Sequence, residues 1–354
     1  WLAALTKQFK YPGIQSCAGD GLCSTSCPMQ INTGEMIHDL RAQALPKGSA
    51  GYKAGDFAAN HLSAVKSALR PVLSAAGAAH AVIGDKATDA VGRGLSKLGM
   101  PMWSSAFPLA YYPHAIKTQP SELKVVYFPS CINQTMGKSK GQSTPLIDKM
   151  VALMEKAGYE VIFPKNMKNL CCGTIWESKG MPDIADRKAK ELDDALFEAS
   201  DGGRYPVLCD QSPCLHRMRN TIKRVKLYEP VEFIYEYLAP HLRFVQTDEP
   251  VALHFTCSTR HMNLNDMFVA LAGMCTTKVV VPEEVGCCGF AGDKGFTDPE
   301  VNRYALRKLR KQLEAAGVKR GFSNSRTCEI GLTVNGGVPY QSIAYLVDEC
   351  TIKK

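Results

Sequence analysis

Residues 128–134 read FPSCINQ, 171–176 read CCGTIW and 210–217 read DQSPCLHR; further on, 254–260 read HFTCSTR, 287–292 read CCGFAG and 325–331 read SRTCEIG. One order, a single Cys, then Cys-Cys-Gly, then a single Cys, thus occurs twice. The gaps are 41 and 42 residues across Cys131, Cys172 and Cys214, and 31 and 40 across Cys257, Cys288 and Cys328. A kept order with unequal gaps predicts one scaffold used twice with different loops. KVVYF (124–128) and VALHF (251–255) lead into the first cysteine of each copy, and YEVIF (159–163) and KVVV (278–281) precede each Cys-Cys pair. Their β-branched and aromatic content predicts short strands. Helical spacing covers 145–157, stopped by Gly158, then 264–273 and 299–316. Strands alternating with helices predict an α/β layered domain, present twice. The first cysteine of each copy follows a strand, which puts the thiols on loops at the carboxyl ends of strands, where open α/β sheets place their sites.

Fourteen cysteines in 354 residues, gathered in tight groups, do not read as the disulfide framework of a short secreted domain. Metal ligation is the better class. Cys131, Cys171, Cys172 and Cys214 form one candidate set, and Cys257, Cys287, Cys288 and Cys328 the other. Four thiolates suit zinc as well as an iron-sulfur cluster, so zinc in one copy stays as the alternative. The usual C-x2-C zinc knuckle is absent from both sets, which favours iron-sulfur clusters. The glycine after each pair is expected to let the backbone approach a bulky inorganic core. Cys209, Cys275 and Cys350 fall outside the repeat and read as packed small hydrophobes, with Cys209 a candidate fifth ligand. His216, His254 and His261 neighbour candidate ligands and read as packed or solvated.

A third group stands at the amino-terminal end, where residues 17–28 read CAGDGLCSTSCP. On the bacterial ferredoxin template C-x2-C-x2-C-x3-C-P this supplies Cys17, Cys23, Cys27 and Pro28, with Asp20 in place of the second cysteine. Asp20 is either an iron ligand that leaves a labile corner, giving a 4Fe-4S or 3Fe-4S centre, or a turn residue in Gly-Asp-Gly. In two-cluster ferredoxins the fourth cysteine serves the other cluster. Cys17, Asp20 and Cys23 are therefore expected to share one centre while Cys27 reaches for another, whose partner run would lie before Trp1 or on another subunit.

Apolar residues make up 45% of the chain and charged residues 21%, as in an ordinary globular protein, and no apolar run approaches the roughly 18 residues a membrane span needs. At about 100–200 residues per domain the length suggests two or three domains. We divide the chain into a ferredoxin-type segment (1–48), a helical connector (49–122) and two α/β domains (123–245 and 246–354). Thr33 is the expected N-cap of a helix in the first. Leu62, Val65, Leu69, Val91, Leu95 and Leu98 give the connector its helical spacing, and 101–120, with four prolines, reads as an extended crossing. The formal charge of +8 concentrates at 301–320, where Val301, Ala305, Leu309 and Leu313 recur every four residues. That leaves Arg303, Arg307, Lys308, Arg310 and Lys311 as the wet side of a helix, and no nucleic-acid partner is expected. No phosphate loop, dinucleotide fingerprint or nucleophile elbow is present, so no flavin or nicotinamide site is read in this chain.

These residues resemble a known superfamily. The paired C…CCG…C repeats are similar to the CCG (cysteine-rich) domains of heterodisulfide reductase and of the iron-sulfur subunits of glycolate oxidase, anaerobic glycerol-3-phosphate dehydrogenase and L-lactate utilisation proteins. CAGDGLCSTSCPMQINTGEM, FPSCINQTMG and EEVGCCGFAGDKGF most resemble the C-terminal half of bacterial fused FAD and iron-sulfur D-lactate dehydrogenases. The resemblance implies an FAD-bearing N-terminal half or flavoprotein subunit that oxidises a D-2-hydroxy acid, and a quinone or cytochrome as final acceptor. It also implies a cytoplasmic protein, peripheral at the inner face of the membrane, inactive as a dehydrogenase on its own. A subunit of a heterodisulfide reductase-like or glycolate oxidase-like complex and a zinc-stabilised docking module are the other expectations. Gln211 and Ser325 stand three residues before Cys214 and Cys328, where heterodisulfide reductase closes each repeat with C-x2-C, which favours four-ligand clusters here.

Overall fold

The computed structural model describes residues 2–97, 103–139 and 141–354. Two four-stranded, fully parallel sheets dominate it. The first uses β1 (Lys124–Phe128), β2 (Glu160–Ile162), β3 (Val207–Cys209) and β4 (Leu227–Tyr228) in the order β2-β1-β3-β4. The second uses β5 (Val251–Leu253), β6 (Val279–Val280), β7 (Arg320–Phe322) and β8 (Tyr340–Gln341) in the order β6-β5-β7-β8. Each copy therefore carries its four strands in the same spatial order. Val126 pairs with Val207 and Ile162 in the first sheet, and Ala252 with Gly321 and Val280 in the second. Central strands β1 and β5 are buried almost throughout, which explains why KVVYF and VALHF are continuous apolar runs: helices cover both faces of a parallel sheet.

The expected helices form at Leu146–Lys156 and Asn265–Cys275, and Gly158 ends the first of these turns with a φ of +87°. The basic segment breaks into Pro299–Ala305 and Leu309–Ala315 rather than running on to 316. Leu309 and Leu313 point inward and the five named basic residues face solvent, so the wet-face reading holds despite the break. At the amino-terminal end the helix Thr33–Ala44 starts one residue earlier than expected, because Asn32, not Thr33, is the N-cap: its side chain accepts from Gly34 N–H at 3.0 Å. The connector is two helices, Ala50–Asn60 and Leu62–Lys97, the second kinked at Gly84. Its buried stripe is Ala59, Leu62, Lys66 and Leu73, whereas Leu69 and Val91 are exposed. Leu98, Pro101 and Met102 lie outside the described residues; from 103 to 120 the crossing contains no helix and one two-residue strand, Leu109–Ala110. No helix among the described residues is long and apolar enough to cross a membrane.

One hydrophobic cluster joins Val125, Tyr127 and Met150 of the first copy to Val251, Leu253 and Phe268 of the second, and to Ile343, Tyr345, Leu346 and Val347 of the last helix. That helix, Ile343–Glu349, packs on Leu146–Lys156 of the first copy, while Pro230–Phe233 of the first packs on Asn265–Cys275 of the second. Lys149 and Lys156 both bind Asp348 across this seam, at 2.6 and 2.5 Å.

A buried polar network closes the same seam. Gln211 donates to Ser325 Oγ at 3.0 Å, and its side-chain oxygen accepts from Arg326 N–H. Gln211 and Ser325, which stand three residues before Cys214 and Cys328, thus hold each other across the pseudo-repeat. Ser212 Oγ and Asn324 Nδ2 both donate to Glu229, which also accepts Val231 N–H as a helix cap. Burial pushes the Glu229 carboxyl from its ordinary 4.5 up to about 7, aided by neighbouring Glu232. The folded chain keeps this proton to higher pH than the unfolded chain does. Stability is therefore expected to fall between about pH 4.5 and 7, by about 3 kcal/mol from this group. Urea midpoints across that range should drop with pH in the native sequence, and the slope should lessen by one proton in Glu229→Gln.

Candidate metal centre

The eight repeat cysteines sit where the topology brings strand ends together. Cys131 follows β1 and Cys257 follows β5; the Cys-Cys pairs lie on loops after β2 and β6; Cys214 and Cys328 fall in the first turns of helices Ser212–Thr221 and Arg326–Gly336, after β3 and β7. Tyr127 OH and Ser130 N–H both donate to buried Asp210, fixing the turn that delivers Cys131. In the second copy Thr256 accepts from Thr259 N–H and caps the short helix that begins at Cys257.

Within each copy the thiols touch in sequence. Cys131 meets Cys171, Cys171 meets Cys172, and Cys172 meets Cys214. In the second copy Cys257 Sγ lies 3.8 Å from Cys287 Sγ, Cys288 Sγ lies 3.2 Å from Cys328 Sγ, and Cys287 meets Cys288. Backbone N–H groups point at the sulfurs: Gly173 N to Cys171 at 3.4 Å, Gly289 N to Cys287 at 3.3 Å and Phe290 N to Cys288 at 3.5 Å. Thiol contacts with Cys171 and Cys214 hold Cys172 well below the ordinary thiol range, and contacts with Cys257 and Cys288 do the same for Cys287. Four buried or half-buried thiols per copy, with donors aimed at sulfur and at least one disposed to ionise, suit a thiolate-ligated metal or iron-sulfur cluster.

The glycine after each pair also meets a constraint from the protein itself. Gly173 and Gly289 have φ of +89° and +70°, and an added Cβ would lie 2.4 Å from Ala185 O in one copy and 2.8 Å from Ala305 Cβ in the other. The glycines let each Cys-Cys loop press against its covering helix.

The amino-terminal run is arranged differently from its template. Among the described residues, one set of three potential ligand groups lies mutually within 4.8 Å, and it consists of Asp20, Cys257 and Cys287. Asp20 thus joins the second repeat, not Cys17 and Cys23. Cys17 opens on a cleft with Arg41, Lys179 and Lys294, whereas Cys27 opens on another with Thr25, Gln30 and Glu35. Cys23 is exposed and bonds Thr33 Oγ1 at 3.1 Å, which lowers its thiol pKa. Burial pushes Asp20 up to about 6, with Cys287 adding to the rise.

Cys209 is fully buried against its own loop and burial raises its thiol pKa, in keeping with packing. Cys275 and Cys350 touch each other away from both sets. His254, held neutral by burial that lowers its pKa to about 4, donates to Gly286 O at 3.2 Å and so props the second Cys-Cys loop. His261 donates to Asp20 O at 2.7 Å and lies beside His216, with ring centres 5.4 Å apart and the rings tilted by 32°. Neither role is visible from spacing, because both partners are backbone carbonyls distant in sequence. Sequence reading also passed over Lys66. It is 3% exposed on the connector helix, bonds Gln134 Oε1 at 2.7 Å, and lies beside Cys131 and Cys171; burial lowers it to about 8. Its place at the four-residue interval from Leu62 was the available signal.

Two parallel sheets of one topology, each offering four thiols from three strand ends, define a duplicated cysteine-rich protein. The family model described as "Cysteine-rich domain" (CCG) matches residues 125–219 and 251–333, and the chain belongs to that family. The chain is 22% identical to Lactate utilization protein A 1 of Bacillus mycoides (strain KBAB4) over 248 residues, covering 64% of this chain and 97% of the relative. Among solved structures it matches Picrophilus torridus aspartate racemase with a TM-score of 0.31 at 6% identity, over 64% of this chain and 90% of that one. An aspartate racemase homologue from Pyrococcus horikoshii OT3 gives a TM-score of 0.24 at 15% identity, over 64% and 96%. Similarities of that size carry no argument about this chain.

Proposed function

We propose that this chain is the iron-sulfur electron-transfer part of an FAD-linked D-lactate, or more broadly D-2-hydroxy acid, dehydrogenase. The observation that carries the reading is the repetition of one four-thiol arrangement at the carboxyl ends of two like sheets within a single rigidly shared core. The name of the Bacillus relative, a lactate utilisation protein, supports lactate as the source of electrons. Cys131, Cys171, Cys172 and Cys214 would hold one cluster, and Cys257, Cys287, Cys288 and Cys328 another. When bound, such clusters accept and release single electrons, as a two-electron flavin donor facing a quinone or cytochrome acceptor requires.

The chain's own residues set the conditions. Two thiol sets in one core keep their separation fixed, and burial limits water around the sulfurs. Lys66 offsets negative charge at the first set, which favours its reduced state. The flavin belongs to a partner domain or flavoprotein subunit, and the reading places the protein in the cytoplasm, at the inner membrane face when it meets a quinone.

Anaerobic purification followed by iron, sulfide and zinc analysis tests this. Iron and sulfide in matching amounts are expected, with broad visible absorption that bleaches on adding D-lactate and the cognate flavoprotein. Cys172→Ser and Cys288→Ser should each remove one centre's iron. A colourless zinc protein, or iron content unchanged in both variants, overturns the proposal.

A further inference from the structure

We infer that Asp20 is an oxygen ligand of the second centre, so that the two repeats hold chemically unequal metal sites. The inference rests on reading the repeats as metal centres and adds a ligand from outside them. Its carboxylate lies within 4.8 Å of both Cys257 Sγ and Cys287 Sγ. One oxygen accepts from Leu22 N–H at 3.2 Å. Among the described residues no Lys or Arg forms an ion pair with it, although three groups that are anionic when ionised crowd together there. A half-buried carboxylate facing two thiols is unfavourable unless a proton or a cation stands between them, and a metal ion turns the repulsion into attraction.

The loop is built to hold this aim. Gly19 and Gly21, on either side of Asp20, have φ of +64° and +72°, and His261 from the second repeat grips Asp20 O at 2.7 Å. Arg41 binds Ile14 O, Cys17 O and Ser178 O, tying the loop's start to the first repeat. Among the described residues no carboxylate joins the first set in this way; a side chain that enters beside Cys131 and Cys171 from outside the repeat is the cation of Lys66. The first site is therefore all sulfur and the second mixes oxygen with sulfur. A hard oxygen on iron is exchanged more readily than thiolate, which makes the second centre the labile one. Filling it also fastens the amino-terminal segment to the second repeat.

The test uses the full chain, loaded anaerobically with iron and sulfide and challenged with a ferrous chelator. Asp20→Asn keeps the shape and removes the charge; iron release from one centre should become about tenfold faster or more. Asp20→Cys should slow release below the native rate and shift the iron Mössbauer signature of that centre towards all-sulfur ligation. The Asp20→Asn effect should vanish in a Cys287→Ser background and persist in a Cys23→Ser background. Unchanged release and signature in Asp20→Asn overturn the inference while leaving the repeats as metal sites, provided Cys172→Ser and Cys288→Ser still lose iron. An effect abolished by Cys23→Ser instead of Cys287→Ser returns Asp20 to the ferredoxin-like run and also overturns it. A native chain that takes up no iron overturns both readings together.

Discussion

Arg326→Met is expected to destabilise the chain by about 3–5 kcal/mol, the cost of leaving one partner of a buried ion pair alone. Arg326 is 1% exposed, and its guanidinium bonds Glu329 at 2.7 Å, Asn133 Oδ1 at 3.0 Å, Gly137 O at 3.3 Å and Ser139 Oγ. Asn133, Gly137 and Ser139 belong to the first repeat and Glu329 to the second, so one side chain fastens both. Removing it strands Glu329, whose carboxyl burial already pushes up to about 7. The double variant Arg326→Met/Glu329→Leu should recover much of the loss, since buried pairs replaced as a pair by apolar groups are often neutral. Equal urea midpoints for single and double variants would mean that isolated charge is not the cause.

Gly173→Ala is expected to cost about 2–5 kcal/mol and to empty the first centre while the second keeps its iron. The sum combines roughly 1–2 kcal/mol for a left-handed backbone and about 1–3 kcal/mol for overpacking. The new Cβ would stand 2.4 Å from Ala185 O, a backbone atom of the long helix Pro182–Ala199 that cannot swing aside. The Cys171–Cys172 loop must yield instead, and the thiols move with it. Gly286→Ala is the matched control beside the other Cys-Cys pair: an added Cβ there meets nothing within 4 Å. It should change stability by less than about 0.5 kcal/mol. Midpoints and iron content measured side by side decide the matter, and similar losses in both variants would show that the loops are merely intolerant of change.

What could be read from sequence was what periodicity and covalent spacing encode. KVVYF and VALHF announce buried parallel strands because both faces of the sheet are covered, and the repeated Cys order fixes the duplication. Distances between loops obey no spacing rule. A template aligns Asp20 by its neighbours in the chain, yet its carboxylate goes to cysteines more than 230 residues away, carried there by a loop that His261 and Arg41 hold. The glycines after the Cys-Cys pairs read from sequence as places of close backbone approach, and the structure adds neighbours that spacing does not name, Ala185 O for Gly173 and Ala305 Cβ for Gly289. Lys66 escaped for a similar reason: a lysine in an alanine-rich helix looks like solvent-facing charge until the helix is laid against Gln134.

The last helix of the chain, Ile343–Glu349, lies in the first repeat's core, against Leu146–Lys156. A ribosome makes the chain from the other end. When residues 123–245 have emerged, the face of Leu146–Lys156 that will meet this helix is still bare, and it stays bare for the roughly 100 residues that separate 245 from Ile343–Glu349; at about 5–20 residues per second this lasts some seconds. The two repeats are consequently completed together, once Ile343–Glu349 has emerged, and the first cannot close its core before that helix arrives.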